Sequence, residues 1–208
     1  MGEGMRKLMI IAALLASFGV ARAAQPQTPS SFVDGVVSDA IVVIKDPSLS
    51  DQDRRQRFEA LLERGFDMPR IARYVLGRYW LIASDAERQD FAQLFQHWLV
   101  ETYAMRFRGY SGEQVKVIGA RPEDQGAVVT TEIVSLSGAP PIKLDWRVSN
   151  RDGAYKILDI DVAGVSMALT EREEISSVIQ RNGGTVASLN RVFAERLNTS
   201  ATADAGTH

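Results

Sequence analysis

The apolar residues of this chain change their spacing twice, and that change limits the fold more than any other feature. From Phe32 to Tyr103 they recur every three or four residues, the spacing of amphipathic helices. From Val115 to Val162 they recur at every second residue, the spacing of strands with one dry face. After Thr170 the helical spacing returns. Helices, then strands, then helices predict an α+β fold, a curved sheet covered on one face by helices.

Within the first block, Phe32 to Lys45 reads as a helix with Phe32, Val36, Ala40 and Val43 on one stripe, stopped by Pro47. Ser50 and Asp53 start a second, with Phe58, Leu61 and Leu62 as its apolar face and Gly65 at its end. Asp67-Met68-Pro69 combines a cap with an early-turn proline, and the short helix after it carries Ile71, Tyr74 and Val75 up to Gly77. Ser84 and Glu87 form a capping box ahead of the strongest stripe, Phe91, Leu94, Phe95, Trp98, Leu99, Thr102 and Tyr103, which should end before Gly109.

Four strands are expected in the middle block, joined by short turns and therefore antiparallel. Val115 and Val117 mark the first, and Ala127 to Leu136 supplies the second. In the third, Ile142, Leu144, Trp146 and Val148 share one face, while Lys143, Asp145 and Arg147 share the other. Asn150 to Gly153 is a turn signal. In the fourth, Tyr155 to Val162, strict alternation sets Leu158, Ile160 and Val162 opposite Ile157, Asp159 and Asp161. Thr170 and Glu173 suggest a further capping box leading to Ile175, Val178 and Ile179. Asn182-Gly183-Gly184 breaks the chain, and Thr185 begins a last helix with Val186, Leu189, Val192 and Phe193.

The ends read differently. Arg6 and Lys7, the apolar run Leu8 to Val20 and then Ala21-Arg22-Ala23 have the order of an export signal cleaved after Ala23. The run is too short for the roughly 20 residues of a spanning helix. Residues 1–23 are thus expected to be a signal peptide, 24–31 a flexible lead-in, 32–198 one folded domain and 199–208 a disordered tail. The formal net charge is −2, and loss of Glu3, Arg6, Lys7 and Arg22 would bring it to −4. That balance argues against nucleic acid as a partner and against tight adhesion to anionic membranes. The sequence has no cysteine, which excludes disulfides, a thiol nucleophile and a lipid-anchor cysteine, and suits an oxidising compartment.

Catalytic signatures are sparse. Histidine occurs twice, as His97 and as His208. His97 could act as a base or metal ligand, but with no cysteine and no second histidine in the folded part it reads better as an ordinary helix residue. Gly164-Val165-Ser166-Met167-Ala168 approaches a nucleophile elbow, yet its fifth position is alanine and no suitable histidine follows. Asp159 and Asp161 share a strand face and could form a carboxylate pair; a polar outer face accounts for them as well. Arginines at 54, 55, 57, 64, 70, 73 and 78 are interleaved with Asp51, Asp53, Glu59, Glu63 and Asp67, the pattern of a mixed-charge surface, although they could also touch a phosphate. No phosphate-binding glycine loop or dinucleotide fingerprint occurs. No cofactor, no metal and no enzymatic activity are expected.

Several longer runs resemble one known family. Phe66-Asp67-Met68-Pro69-Arg70-Ile71-Ala72-Arg73-Tyr74-Val75-Leu76-Gly77-Arg78-Tyr79-Trp80 is similar to the signature region of the MlaC, or toluene-tolerance auxiliary, family. Tyr110-Ser111-Gly112-Glu113 follows in order, then Gly164-Val165-Ser166-Met167-Ala168-Leu169-Thr170 and Ser177-Val178-Ile179-Gln180-Arg181-Asn182-Gly183-Gly184. Taken together, the resemblance covers nearly all of the chain from Phe32 to Leu197. The resemblance implies a periplasmic phospholipid carrier with an NTF2-like fold, a four-stranded sheet under helices, acyl chains between the two and the headgroup near the mouth. It also implies two partners, an inner-membrane ABC transporter with an MCE-domain component and an outer-membrane lipoprotein–porin complex. A hopanoid lipid is the alternative cargo.

On that reading Ile142, Leu144, Trp146 and Val148 form part of a pocket floor, extended by Val129, Thr131, Ile133, Leu158, Ile160 and Val162. Tyr74, Val75, Leu94, Phe95, Trp98 and Leu99 would cover it, with Val165, Met167, Val178 and Ile179 from the last part. Periodicity does not separate a pocket wall from a filled core. An envelope enzyme using Asp159 and Asp161, or a ligand-free adaptor, remains compatible with the residues alone.

Overall fold

The computed structural model describes residues 27–104, 112–151 and 153–205, the side chains after Thr199 excepted. The expected signal peptide, Gly109 to Ser111, Asp152 and His208 lie outside the described residues. In chain order the elements are α1 (Pro29–Lys45), α2 (Asp51–Gly65), α3 (Met68–Leu76), α4 (Tyr79–Ile82), α5 (Asp85–Tyr103), β1 (Gln114–Glu123), β2 (Gly126–Val134), β3 (Ile142–Arg151), β4 (Ala154–Val162), β5 (Val165–Ser166), α6 (Met167–Arg181) and α7 (Val186–Ala205). The strands form one antiparallel sheet in the order β1-β2-β3-β4-β5.

Capping residues fix most helix starts. Ser50 Oγ accepts from the Asp53 N–H at 3.1 Å, and the Asp67 carboxylate accepts from the Arg70 N–H at 3.2 Å. Ser84 and Glu87 cap one another reciprocally. The Ser84 backbone and hydroxyl hydrogen bonds hold the Glu87 carboxyl below the ordinary glutamate range.

Four boundaries differ from the sequence reading. Thr28 and Ser31 form a capping box of their own, so the expected lead-in is already helical from Pro29. The sheet has five strands rather than four, because Val165-Ser166 pairs back on Asp161 and Val162. Ser166 rather than Thr170 then caps α6: its Oγ accepts the Leu169 N–H at 3.0 Å, while the Thr170 hydroxyl donates to the Ser166 carbonyl at 2.9 Å. The last helix continues to Ala205, into the stretch read as a tail.

The register aligns the apolar face across four strands. Ile133 faces Ile142, Thr131 faces Leu144, and Val129 faces Trp146. On the other side Leu144 pairs with Val162, and Trp146 with Ile160. Between Arg147 and Val148 the register shifts, so Leu158 is an extra residue and Val148 pairs with Ile157. Ile157 therefore turns inward and is fully buried, not on the polar face where strict alternation put it.

Helices α1, α2, α3 and α6 lie against this sheet. Two cores result. One, among α3, α5, α6 and α7, includes Leu76, Phe91, Phe95, Ile179, Leu189 and Phe193. The other joins the first turn of α1, Phe32 and Val33, to Val129, Trp146, Val148 and Ile157 of the sheet.

Candidate functional site: an apolar cavity under the first helix

Helix α1 starts over a filled part of the sheet and continues over a hollow one. Phe32 and Val33 are its only fully buried residues, and Phe32 lies 5.8 Å from the Tyr155 ring. One to three turns later, Val36, Val37, Ala40, Ile41, Val43 and Ile44 are half-buried and line a cavity of about 660 Å³. That volume is on the scale of small-molecule sites, roughly 300–1,000 Å³.

The remaining walls come from every neighbouring layer. Phe58, Leu61 and Leu62 project from α2, then Phe66, and Met68, Ile71 and Val75 from α3. Phe95 and Leu99 of α5 close one side. The floor is Val115 of β1, Ile133 of β2, Ile142, Leu144 and Trp146 of β3, and Leu158, Ile160 and Val162 of β4, with Met167 and Ala168 at the start of α6. Trp146 keeps an apolar surface toward this space because its indole N–H is satisfied sideways, donating to the buried Thr131 hydroxyl at 2.9 Å.

Most polar side chains that reach the wall have structural duties. Arg54 donates from its two terminal nitrogens to the Val43, Ile44 and Asp46 carbonyls, closing the C-terminal end of α1, where a cation is favoured. The Tyr103 hydroxyl donates to Glu171 at 3.1 Å. Asp159 accepts the Ser166 hydroxyl at 2.6 Å and the Ala168 N–H at 2.9 Å, which fastens the start of α6 to β4. Asp161 accepts the Gly164 N–H at 2.6 Å within the same turn. The two aspartates that could have formed a catalytic pair thus each hold backbone. His97 is largely exposed, its Nε2 3.6 Å from Glu59, and does not line the cavity. Among the described residues no cluster of three or more His, Cys, Asp or Glu side chains could hold a metal ion.

Of the residues proposed from sequence as a pocket, the structure places Val75, Phe95, Leu99, Ile133, Ile142, Leu144, Trp146, Leu158, Ile160, Val162 and Met167 on the cavity wall. The others lie elsewhere. Val129 and Val148 are buried in the packed core beside Phe32 and Val33, and Thr131 is fully buried, accepting the Trp146 indole N–H. Leu94, Trp98, Val178 and Ile179 pack into the helical core, Trp98 against Phe193 at 5.7 Å. Tyr74 is partly exposed beneath the Arg172 guanidinium, 5.2 Å from its ring, and Val165 is exposed on β5. Sequence reasoning missed the α1 and α2 walls. The available signal was the run Val36 to Ile44, apolar on more sides than one stripe requires.

Residues 34–193 match the family model described as MlaC protein. The chain belongs to the MlaC family. One curated relative is the intermembrane phospholipid transport system binding protein MlaC of Haemophilus influenzae, 29% identical over 97 residues; the chain spans 45% of that protein's length, and the match covers 45% of this chain. A second is the toluene tolerance protein ttg2D of Pseudomonas putida, 23% identical over 176 residues, 82% of this chain and 81% of that one. Among solved structures, the phospholipid-binding protein of Ralstonia solanacearum, determined in complex with a phospholipid, superposes with a TM-score of 0.74. It is 25% identical, and the superposition covers 84% of this chain and 99% of that one.

Proposed function

We propose that this MlaC-family protein is a soluble periplasmic carrier of glycerophospholipid, moving lipid between the inner and outer membranes and thereby maintaining outer-membrane lipid asymmetry, without catalysing a reaction. The apolar cavity of about 660 Å³ between α1 and the sheet is the observation that carries this reading. A two-chain lipid has about 30 methylenes, and exposing them to water costs on the order of 25 kcal/mol. Crossing an aqueous gap therefore requires a dry container. The container need only match the bilayer, so that loading and unloading stay near balance.

The cavity also needs an occupant. Left without one, its apolar walls face water, at a cost of roughly 25 cal/mol for each Å² exposed. An acyl chain covers those walls. Both the phospholipid held by the Ralstonia protein and the transport role in the Haemophilus protein's name support phospholipid as the cargo. The basic and apolar N-terminal residues support export, and no helix among the described residues is long and apolar enough to cross a membrane. The exchange partners on this reading are an inner-membrane ABC transporter with an MCE-domain component and an outer-membrane lipoprotein–porin complex.

The test is extraction of protein purified from cells without detergent, followed by lipid mass spectrometry. Near-stoichiometric phospholipid is expected. A hopanoid in its place would change the cargo, and a lipid-free protein would favour an adaptor.

A further inference from the structure

We infer that Phe66 and Met68 set the length of acyl chain this protein accepts, a specificity that rests on the carrier reading above. Both side chains line the apolar cavity, and both also line a second pocket of about 400 Å³ on their other side. The rest of that second pocket is mostly polar, formed by Glu63, Asp67, Gln96 and Lys156 with Pro69. Phe66 and Met68 are thus shared between the apolar cavity and a second space whose other residues are mostly polar.

Their position along the sheet makes them the blind end. The cavity floor reaches Trp146 on β3 and the bulged Leu158 on β4; the next cross-strand pair, Val148 and Ile157, is fully buried in packed protein. Phe66 forms a parallel bridge with Ile157, and the Asp67 N–H donates to the Ile157 carbonyl at 3.0 Å. A chain lying along the floor therefore ends against Phe66 and Met68.

The pair is also held from several sides, as a measure of length must be. Phe66 N–H donates to the Leu62 carbonyl at 2.8 Å, closing α2, and Lys156 Nζ donates to the Glu63 and Arg64 carbonyls at 2.7 Å each. Asp67 caps α3. Met68 is 8% exposed. A methylene that cannot fit and stays in water weakens retention about fourfold.

The experiment loads the full chain from vesicles containing equal amounts of phosphatidylglycerol with 14-carbon and with 18-carbon chains, and reads the bound ratio by native mass spectrometry. Met68→Ala should raise the 18-to-14 ratio at least fourfold over wild type. Phe66→Leu, a milder change that keeps the core filled, should move it the same way by a smaller factor. An unchanged ratio in folded, lipid-loaded variants overturns the inference. So does loss of both lipids from a folded variant, which would make the pair a seal against water. A wild-type protein that takes up neither lipid would instead overturn the carrier reading, and the length limit with it.

Discussion

Between α5 and α7 the aromatic side chains interlock: Phe91 lies 5.5 Å from Phe95 and 6.3 Å from Phe193, and Trp98 stacks 6.0 Å from Phe95 and 5.7 Å from Phe193. Under α1 the side chains are just as apolar, but they stand around an open space of about 660 Å³. Composition does not separate the two halves; contact does. In the filled half each ring meets another ring, worth about 0.5–1.5 kcal/mol per pair beyond burial. In the hollow half Ile41, Val43 and Ile44 of α1 have space where partners would be. Phe95 belongs to both, stacked on Phe91 and facing the cavity. The solid half thus supplies the stability that lets the other stay open, and holds α3 and α5 as fixed walls.

The largest expected effect breaks the solid half alone. Phe91→Ala removes a fully buried ring that does not line the cavity. It should cost about 3–5 kcal/mol, a fall of roughly 10 °C in Tm by calorimetry. At temperatures where the variant stays folded, lipid occupancy should be unchanged. The converse change strikes the hollow half. Leu144→Asp or Trp146→Asp sets a carboxylate in the apolar cavity with no partner. Lipid occupancy should fall at least tenfold by extraction and mass spectrometry, while the lipid-free variants keep the wild-type circular dichroism. Full occupancy in a folded Leu144→Asp variant would remove that residue from the lipid site.

The contrast also explains what the sequence disclosed. Alternation along β3 correctly divided Leu144 and Trp146 from Lys143 and Arg147, since a pleated strand must put successive side chains on opposite faces. It failed at Ile157, because a bulge inserts Leu158 and turns Ile157 to the dry face; no local residue type announces that shift. The four-residue stripe of α1 recovered Val36, Ala40 and Val43 but not Val37, Ile41 and Ile44, which widen the same wall. The stripe of α5 and the apolar residues of α6 were legible as dry, yet Trp98 and Ile179 turned out to face protein, whereas Phe95 and Leu99 face the cavity. Hydrophobic spacing records which side of an element avoids water. It carries no record of whether the dry neighbour is another side chain or a ligand, and the resemblance to a lipid-carrying family supplied that step.

The smallest expected effect is the sharpest discriminator between the halves. Ile41 is half-buried on the cavity wall. In a filled core, Ile→Ala costs about 2–5 kcal/mol, because the deleted atoms leave a gap their neighbours cannot close. Here much of the surrounding space is already empty, and atoms without partners forfeit little dispersion energy when removed. Ile41→Ala should therefore cost the lipid-free protein less than about 1 kcal/mol in a urea titration. The lipid-loaded protein should lose more, since the side chain then touches an acyl chain, so the separation between loaded and lipid-free midpoints narrows. A loss of about 2–5 kcal/mol already in the lipid-free protein would mean that α1 rests on packed side chains, and the distinction between the two halves would fail.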